Sequence, residues 1–481
     1  MNVYDVLEKY GTQNKKDFSR AKLKTNYTQF VNLWKSYYRG DVTGIHTDIG
    51  FNGEKTYQIK RRSMKLPKLI AEKWATMLFT EAFKVTLKNE IETEKFRQLE
   101  KAIDFRAKVN RAAIFGYAEG TTALLARADI ETDQNTKTVT GGKVKLDVIK
   151  YDSLFPLVYD NNDIQAIAFI SQEQKKDTTI YTIGIHSLEK GKVIVENIIA
   201  TVKGENVAFT AAETVKQIQE YKNQLYCIIK PNTANDYTDI LPFGQSIFAD
   251  SLAPCDDIDL AAAGLRRDVK EGDQVTFIGR DLLVQRDENG KKTEKVFDNS
   301  PERFFVMPQE LFINDGNVKE RLYDKVVPEI RAIQFWQVIK DSLNWACVTA
   351  GLGKGSLDIV PMATATQVVH TEADKMQSKS LHEQFLEGQI IKLVKGLCEL
   401  SGMIGNPIDA SEVTITWEDS VIVDTAEQKR LSLAEIDQGV ISRMEYRMKY
   451  YGETEQEATA KIEAMAKEDN PFDYTRYRND I

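Results

Sequence analysis

The residues that come closest to a ligand-binding pattern form a glycine-rich segment, Gly351-Leu352-Gly353-Lys354-Gly355-Ser356. Glycine and lysine side by side are typical of loops that wrap phosphate groups. That pattern requires an earlier glycine, five positions before the glycine–lysine pair, and Ser or Thr directly after the lysine. Here Gly355 follows Lys354, positions 344–348 hold no glycine, and a helical pattern precedes the segment where a strand is required. We therefore interpret the segment as a hinge or loop.

Two other catalytic patterns are also incomplete. Gly244-Gln245-Ser246 begins like a nucleophile elbow, but Phe248 stands where the second glycine belongs, so a serine that caps a helix is the better interpretation. The four histidines form no metal-binding or zinc-protease spacing and are expected to be solvated or packed: His46, His186, His370 and His382. We expect no enzyme activity, no cofactor and no metal.

Charged clusters leave two interpretations open. Asp256, Asp257 and Asp259, followed by 266–268 (Arg-Arg-Asp), lie on a predicted helix opposite its apolar stripe. They form either a solvated face or a surface that meets a neighbouring subunit's helix or a shared channel. Lys60, Arg61, Arg62, Lys65 and Lys68 form a basic cluster, which on an acidic protein usually means a surface patch.

The bulk composition is that of a globular protein with several domains. The chain has 481 residues, of which 42% are hydrophobic and 28% charged. No apolar run reaches the roughly 18 residues of a membrane span, and the start of the sequence lacks the apolar core of a signal peptide. The four cysteines are far apart, which favours a reducing environment. The net charge of −8 argues against a protein that wraps nucleic acid, although a conduit that repels phosphate remains compatible with it.

The periodicity of apolar residues predicts an α+β fold. Helical spacing covers the N-terminal part, where Leu66, Ile70, Trp74, Met77 and Leu78 form an apolar stripe and 94–115 is a further amphipathic stretch. The period changes to two from about 121 to 240. Within that strand-rich region, Gly141-Gly142 predicts a hairpin turn, and 211–221 predicts a single helix.

The order of elements after Gly244 is the most specific feature of the sequence. Apolar residues step by three and four over 245–272, short strands follow around an Asn289-Gly290 turn, and a second helical stripe covers about 326–350. A third helix is predicted from Met362 to about Leu400, close to 60 Å long. Two helices joined through a β-rich insert form a hairpin with the insert at its far end. Its inner seam is expected to bury Leu252, Cys255, Ala262, Trp336, Ile339 and Leu343.

Several short segments, in this order and spacing, resemble the portal proteins of tailed bacteriophages, of the type found in siphophages of Gram-positive hosts. The resemblance covers about Tyr27 to Tyr451. The segments that carry it are 63–75 (SMKLPKLIAEKWA), 78–81 (LFTE), 243–250 (FGQSIFAD), 351–353 (GLG) leading to 363–369 (ATATQVV), 438–442 (QGVIS) and 450–452 (YYG). One departure is Ala253-Pro254-Cys255, which interrupts the first long helix where the resemblance implies an unbroken one.

The resemblance implies an SPP1-like portal fold with a wing, a helical stem, a β-containing clip and a helical crown. Its regions would be 1–240 for the N-terminal helices and wing, 241–272 and 326–350 for the stem helices, 273–325 for the clip, 351–360 for the tunnel loop, 361–424 for a long helix and a returning wing strand, and 425–481 for the crown and tail.

The function implied is a head–tail connector: a homo-oligomeric ring, usually dodecameric, at one capsid vertex, with double-stranded DNA in a passive channel. Expected partners are the terminase large subunit, the major capsid and scaffolding proteins, and a head-completion or tail adaptor protein, with no membrane. Assembly would occur in the host cytoplasm and the product would be part of the virion.

Two sets of candidate contact residues follow. The tunnel-loop set that would face DNA is Gly351, Gly353, Lys354 and Gly355, and the clip set that would face the terminase is Arg280, Arg286, Lys291 and Lys292. The competing interpretation is a non-viral helical scaffold or adaptor without a channel; a weaker one is an enzyme with a site built from scattered residues.

Overall fold

The computed structural model describes most of the chain, in a mixture of helix and sheet that agrees with the α+β prediction. It divides into two compact units, residues 1–416 and 417–481. The described residues are 1–468 apart from 52, 54, 80–82, 133–138, 161–162, 212–217, 239–240, 273–274, 280–283, 287–291, 295–303, 308–312, 315–316, 319–322, 327–328, 358–364, 418–431, 434, 437 and 452.

Five helices open the first unit: α1 (Val3–Gln13), α2 (Lys24–Arg39), α3 (Leu66–Phe79), α4 (Glu90–Ala102) and α5 (Phe105–Glu119). Local capping explains their ends. Asn2 and Asp5 form a reciprocal capping box at the start of α1, and Gly40 ends α2 in the left-handed conformation. The single stretch predicted at 94–115 is two helices, because Asp104 has a positive φ of 53° that no helix interior accommodates.

The largest sheet is antiparallel and follows chain order. It contains β6 (Leu154–Asp160), β7 (Asp163–Lys175), β8 (Thr178–Glu189), β9 (Lys192–Lys203), β10 (Asn206–Ala211) and β11 (Ile218–Tyr221), and both β10 and β11 pair with β9. Helix α1 covers one face of it, where Val6 and Leu7 pack with Ile183 and Ile198 in a dry core. Buried residues alternate with more exposed ones along much of β9, as the sequence period of two predicts, whereas β7 is buried continuously from Ala166 to Ile170.

Two local predictions in this region are wrong. Residues 218–221, predicted as part of a helix, form β11, because Ile218–Tyr221 pairs with Val193–Glu196 along one edge of β9. Gly141 and Gly142, predicted as a turn, lie inside a strand opposite Glu131 and Ile130. Pairing with another strand decides both outcomes, and local propensity does not contain that information.

A second sheet has three strands in the order β12-β4-β5: β4 (Thr122–Thr132), β5 (Val139–Lys150) and β12 (Tyr226–Ile229). Helix α5 packs against β4 and β5. The remaining strands of this part form two-stranded ribbons: β1 (Thr47–Phe51) with β2 (Thr56–Lys60), and β3 (Phe83–Leu87) with β20 (Val413–Trp417). A strand is therefore present at 413–417, as predicted, and it pairs with β3; that it returns to the wing stays a prediction.

The predicted helical hairpin is present as α6 (Leu252–Glu271) and α7 (Ala332–Thr349), which pack against each other. Pro254 lies in the first turn of α6, where a backbone N–H would have no partner, so the helix starts there and does not kink. Between the helices lie short strands, of which β16 and β19 flank β13: β13 (Val275–Gly279), β14 (Val284–Arg286), β15 (Lys292–Glu294), β16 (Phe304–Met307), β17 (Ile313–Asn314), β18 (Asn317–Val318) and β19 (Tyr323–Val326).

Helix α8 (Ala365–Met403) has 39 residues, which at 1.5 Å per residue gives roughly 58 Å. Its second half is deeply buried through Leu386, Ile390, Leu393 and Leu397. The second unit contains α9 (Arg443–Tyr451) and α10 (Glu455–Glu468). Between these two helices Glu453 accepts both guanidinium hydrogen bonds of Arg447, at 2.8 and 3.0 Å.

Candidate functional site: the helical hairpin and its glycine segment

The hairpin is tied at both ends by polar contacts. Next to the body of the first unit, the Ser251 hydroxyl lies 2.7 Å from that of Thr349 and 3.2 Å from the carbonyl of Ala346. Next to the β insert, Arg331 grips Asp268 through Nε and Nη2, at 2.9 and 3.0 Å. This two-pronged ion pair lowers the pKa of Asp268 and fixes α7 in register with α6.

Between those ends the two helices approach closely because α6 carries a glycine. A Cβ on Gly264 would lie 2.7 Å from the ring of Phe335, which is closer than van der Waals contact permits. The glycine therefore creates the groove that receives the phenylalanine ring. Small residues around it, Ala261 to Ala263, keep the groove shallow along its length.

The six predicted seam residues differ in burial within one protomer. Cys255 is buried, whereas Leu252, Ala262, Ile339 and Leu343 are half-buried and Trp336 is 47% exposed. Ile333 is more exposed still, at 82%. Helix α7 thus presents an apolar face to solvent as well as one to α6. That the six residues together form the buried inner seam of the hairpin stays a prediction.

The acidic residues of α6 have specific partners that sequence reasoning did not identify. Asp259 is 5% exposed and accepts hydrogen bonds from His46 Nε2 at 2.7 Å, Ser63 Oγ at 2.9 Å and the backbone N–H of Met64 at 2.6 Å. The interpretation of a solvated face, or of one that meets a neighbouring subunit, is therefore wrong for Asp259. No pattern of neighbouring residues indicates this cluster, because its three donors lie about 200 residues earlier in the chain.

The glycine segment begins as the cap of α7. The N–H of Leu352 bonds to the carbonyl of Cys347 at 2.9 Å, and the N–H of Gly351 bonds to that of Val348 at 3.0 Å. With Gly351 at φ +72°, this is the Schellman arrangement that ends many helices. Leu352 is fully buried. The first two residues of the predicted loop are thus fixed in place.

The segment then folds back on α7. Gly353 and Gly355 both have positive φ, at 78° and 81°, which favours glycine at each position. The N–H of Gly355 reaches Asn344 Oδ1 at 3.1 Å, and the hydroxyl of Ser356 bonds to the carbonyl of Leu352. Lys354 stands exposed between the two glycines. A helix precedes the segment, as predicted. The contacts of the segment are made to α7 and within the segment itself, and they do not form a backbone cradle for phosphate.

An aromatic cluster holds the start of the segment against the rest of the unit. The indole N–H of Trp74 donates to the carbonyl of Ala350 at 2.8 Å, and its ring lies 4.6 Å from that of His382 on α8. Tyr117 on α5 places its hydroxyl 2.9 Å from His382 Nδ1. Three helices and the end of α7 therefore meet at one buried point. Sequence reasoning placed Trp74 in an apolar stripe and gave His382 no role.

His382 is built into this cluster as a neutral imidazole. The backbone N–H of Asn232 also donates to Nδ1, at 3.1 Å, so this nitrogen acts as an acceptor. Burial lowers the pKa of His382 to about 4. The side chain accordingly works as a structural acceptor at neutral pH and has no metal-binding arrangement around it. Within the described ranges, His, Cys, Asp and Glu side chains nowhere gather in a group able to hold a metal ion.

Two of the four clip candidates lie among the described residues. Arg280 and Lys291 lie outside the described residues. Arg286 and Lys292 occupy paired positions of the antiparallel β14–β15 ribbon.

In the part of the chain that the structure describes, no helix has both the length and the apolar character needed to cross a membrane.

A comparison with protein families finds a match. The model of the family described as "Phage portal protein, SPP1 Gp6-like" matches residues 16–471 of this chain. That range includes the hairpin, the glycine segment, α8 and both helices of the second unit. Among curated proteins, no relative matches.

Proposed function

Because this chain belongs to the SPP1 Gp6-like family of phage portal proteins, we propose that it forms a ring around a passive channel for double-stranded DNA. The ring occupies one capsid vertex, and DNA passes through it during packaging and again during ejection. The observation that carries the proposal is the hairpin of α6 and α7 with β13–β19 at its far end and the glycine segment at its near end. Repeated around an axis, such hairpins enclose a pore.

The charge of the chain supports a passive conduit. Each protomer has a net charge of −8, so a ring of twelve carries roughly a hundred negative charges. Within a narrow channel these charges are weakly screened and repel phosphate over more than the roughly 8 Å Debye length of physiological salt. DNA pushed by a motor then slides without strong contacts that would have to break at each step.

The glycine segment is the proposed point of DNA contact. The Schellman cap and the Trp74 hydrogen bond fix the start of the segment. Lys354 is exposed and is the positively charged residue of the segment. In the proposal Lys354 touches passing phosphates intermittently, and Gly351, Gly353 and Gly355 supply the backbone conformations that bring it there. The protein itself hydrolyses nothing.

The β insert is the proposed docking surface for the packaging motor. It lies at the end of the hairpin away from the glycine segment, and its strands β14 and β15 hold Arg286 and Lys292 at paired positions. Together with Arg280 and Lys291 these residues suit an acidic partner, first the terminase large subunit and later a tail adaptor.

A packaging assay with Lys354→Glu tests the proposal. The expected result is normal incorporation into capsids but altered DNA packaging or retention, measured as nuclease-protected DNA per capsid. Lys101→Glu, an equal charge change on the exposed end of α4, is the matched control and should package normally. Equal yields from both variants contradict the role of Lys354. ATP hydrolysis by the isolated protein contradicts the passive channel.

A further inference from the structure

The ribbon of β1 and β2 stands apart from every other described strand. Thr47–Phe51 pairs with Thr56–Lys60 in an antiparallel register, and neither strand joins another sheet among the described residues. Isolated two-stranded ribbons are marginal in water, and they gain stability when one face is covered. No sequence pattern described above predicts this ribbon.

The root of the ribbon is fixed to the middle of α6. Arg61 donates its backbone N–H to the carbonyl of His46 at 2.8 Å and its guanidinium to the carbonyl of Ile45 at 2.8 Å. His46 accepts from the N–H of Val42 at Nδ1 and bonds to the buried Asp259 through Nε2. The root of the ribbon is therefore held at the level of Asp259 on α6.

One face of the ribbon carries two exposed apolar side chains. The alternation along β1 places Ile49 and Phe51 on the same face, where they are 76% and 68% exposed. On the opposite face Tyr57 closes over Gly50, since a Cβ there would lie 2.5 Å from the tyrosine ring. Tyr57 packs on Gly50 and is 53% exposed, whereas Ile49 and Phe51 are more exposed still and are left for another surface.

A matching surface lies on α7. Ile333 and Ile49 are the two most exposed large apolar side chains among the described residues, at 82% and 76%. Phe335 lies on the side of α7 that meets α6. Ile333 comes two residues earlier and therefore lies about 200° around the helix from that side. Trp336, 47% exposed, extends the same outward face.

The two surfaces lie at similar heights on the hairpin. Since Ser251 lies opposite Ala346 and Thr349, and Asp268 opposite Arg331, Asp259 lies opposite roughly residue 340. The centre of the α7 patch is roughly five residues away, or about 8 Å at 1.5 Å per residue. A five-residue strand extends about 17 Å, so the ribbon is long enough to reach that height.

We propose that the β1–β2 ribbon docks on the outward face of α7 of the neighbouring copy of this chain, with Ile49 and Phe51 against Ile333 and Trp336. A closed ring needs two different surfaces on each protomer, and hairpins aligned along the axis keep both at the same height after rotation. A second copy is the occupant because this one chain carries both surfaces, and Ile49 and Ile333 are the two most exposed large apolar side chains among its described residues. The inference rests on the ring of the proposed function.

Crosslinking between introduced cysteines tests the contact. All four native cysteines are buried, so background labelling is low. The full-length double variant Ile49→Cys/Ile333→Cys, treated with a short bismaleimide, is expected to give a ladder of covalent oligomers on a denaturing gel. Each single variant should give none. The matched control is Tyr57→Cys/Ile333→Cys, which uses the opposite face of the ribbon and should crosslink at least tenfold less.

A second experiment measures the contribution of the patch to assembly. Ile49→Asp is expected to raise the protein concentration for half-assembly at least tenfold, whereas Ile91→Asp, the same change at a 70% exposed isoleucine of α4, should leave it unchanged. Rings that form without the ladder, a crosslink confined to single chains, or equal effects of the two aspartates would overturn the inference and leave the proposed function intact. Absence of any oligomer in the unmodified protein would instead overturn the ring itself.

Discussion

At the scale of single residues, the carbonyl of Ala350 shows how the glycine segment is held. It ends α7 and accepts the indole N–H of Trp74, which comes from a helix about 275 residues earlier in the chain. The sequence shows that Trp74 belongs to an apolar stripe, and the structure agrees that it is buried. Its hydrogen bond could not be foreseen, because periodicity identifies the buried face of a helix and not the polar atom that the face will meet.

The Trp74→Phe variant should isolate this hydrogen bond. Phenylalanine keeps an aromatic ring beside His382 but leaves the Ala350 carbonyl without its donor, which is expected to lower the free energy of unfolding by about 1–3 kcal/mol. Urea denaturation of the monomeric protein measures the change. Trp345→Phe is the control, since that side chain is 61% exposed and its replacement should cost no more than about 0.5 kcal/mol. Equal losses would contradict the assigned role.

His382 should make the first unit sensitive to acid. Burial lowers its pKa to about 4, while the unfolded chain has the ordinary value near 6.5. The unfolded state therefore binds the proton at higher pH, so the stability due to the neutral imidazole is complete above about pH 6.5 and is lost as pH falls toward 4. In His382→Gln, the urea midpoint should vary less with pH across this window. Parallel curves for variant and unmodified protein would refute the expectation.

At the scale of elements, the hairpin, the long helix α8 and most strands follow from apolar periodicity. The hairpin could be predicted because both helices carry long, uninterrupted stripes and the strands between them are short. The β1–β2 ribbon could not, since its uncovered face breaks the rule that apolar residues are buried within one chain. Strand β11 was mistaken for a helix because its conformation is imposed by the edge of β9.

Because α6 and α7 approach closely at Gly264, replacing this glycine by alanine is expected to lower stability, whereas helix propensity alone predicts a gain. Alanine normally stabilises a helix relative to glycine by about 0.5–1 kcal/mol. At Gly264 the added Cβ would lie 2.7 Å from the Phe335 ring, so Gly264→Ala is expected to destabilise the protein by about 1–3 kcal/mol. The double variant Gly264→Ala/Phe335→Leu should regain part of the lost stability, which thermal unfolding measures. An increase in stability for the single variant would show that the helices do not approach as described.

At the scale of the whole molecule, the family match and the hairpin lead to the same conclusion by separate routes. The match covers residues 16–471 and identifies a portal protein. The hairpin, whose register is fixed by Asp268–Arg331 and by Ser251–Thr349, is the element that supports the proposed channel wall. The number of subunits could not come from the sequence, because the angle between neighbours depends on contacts that form only in the assembly.

Imaging of the purified full-length protein by electron microscopy, with its mass measured in parallel, tests the central proposal most directly. The expected result is a closed ring with an open centre, lined by α6–α7 hairpins and with the β insert at one end. A protein that stays monomeric at every concentration, even beside its capsid and scaffolding proteins, would contradict the proposed channel.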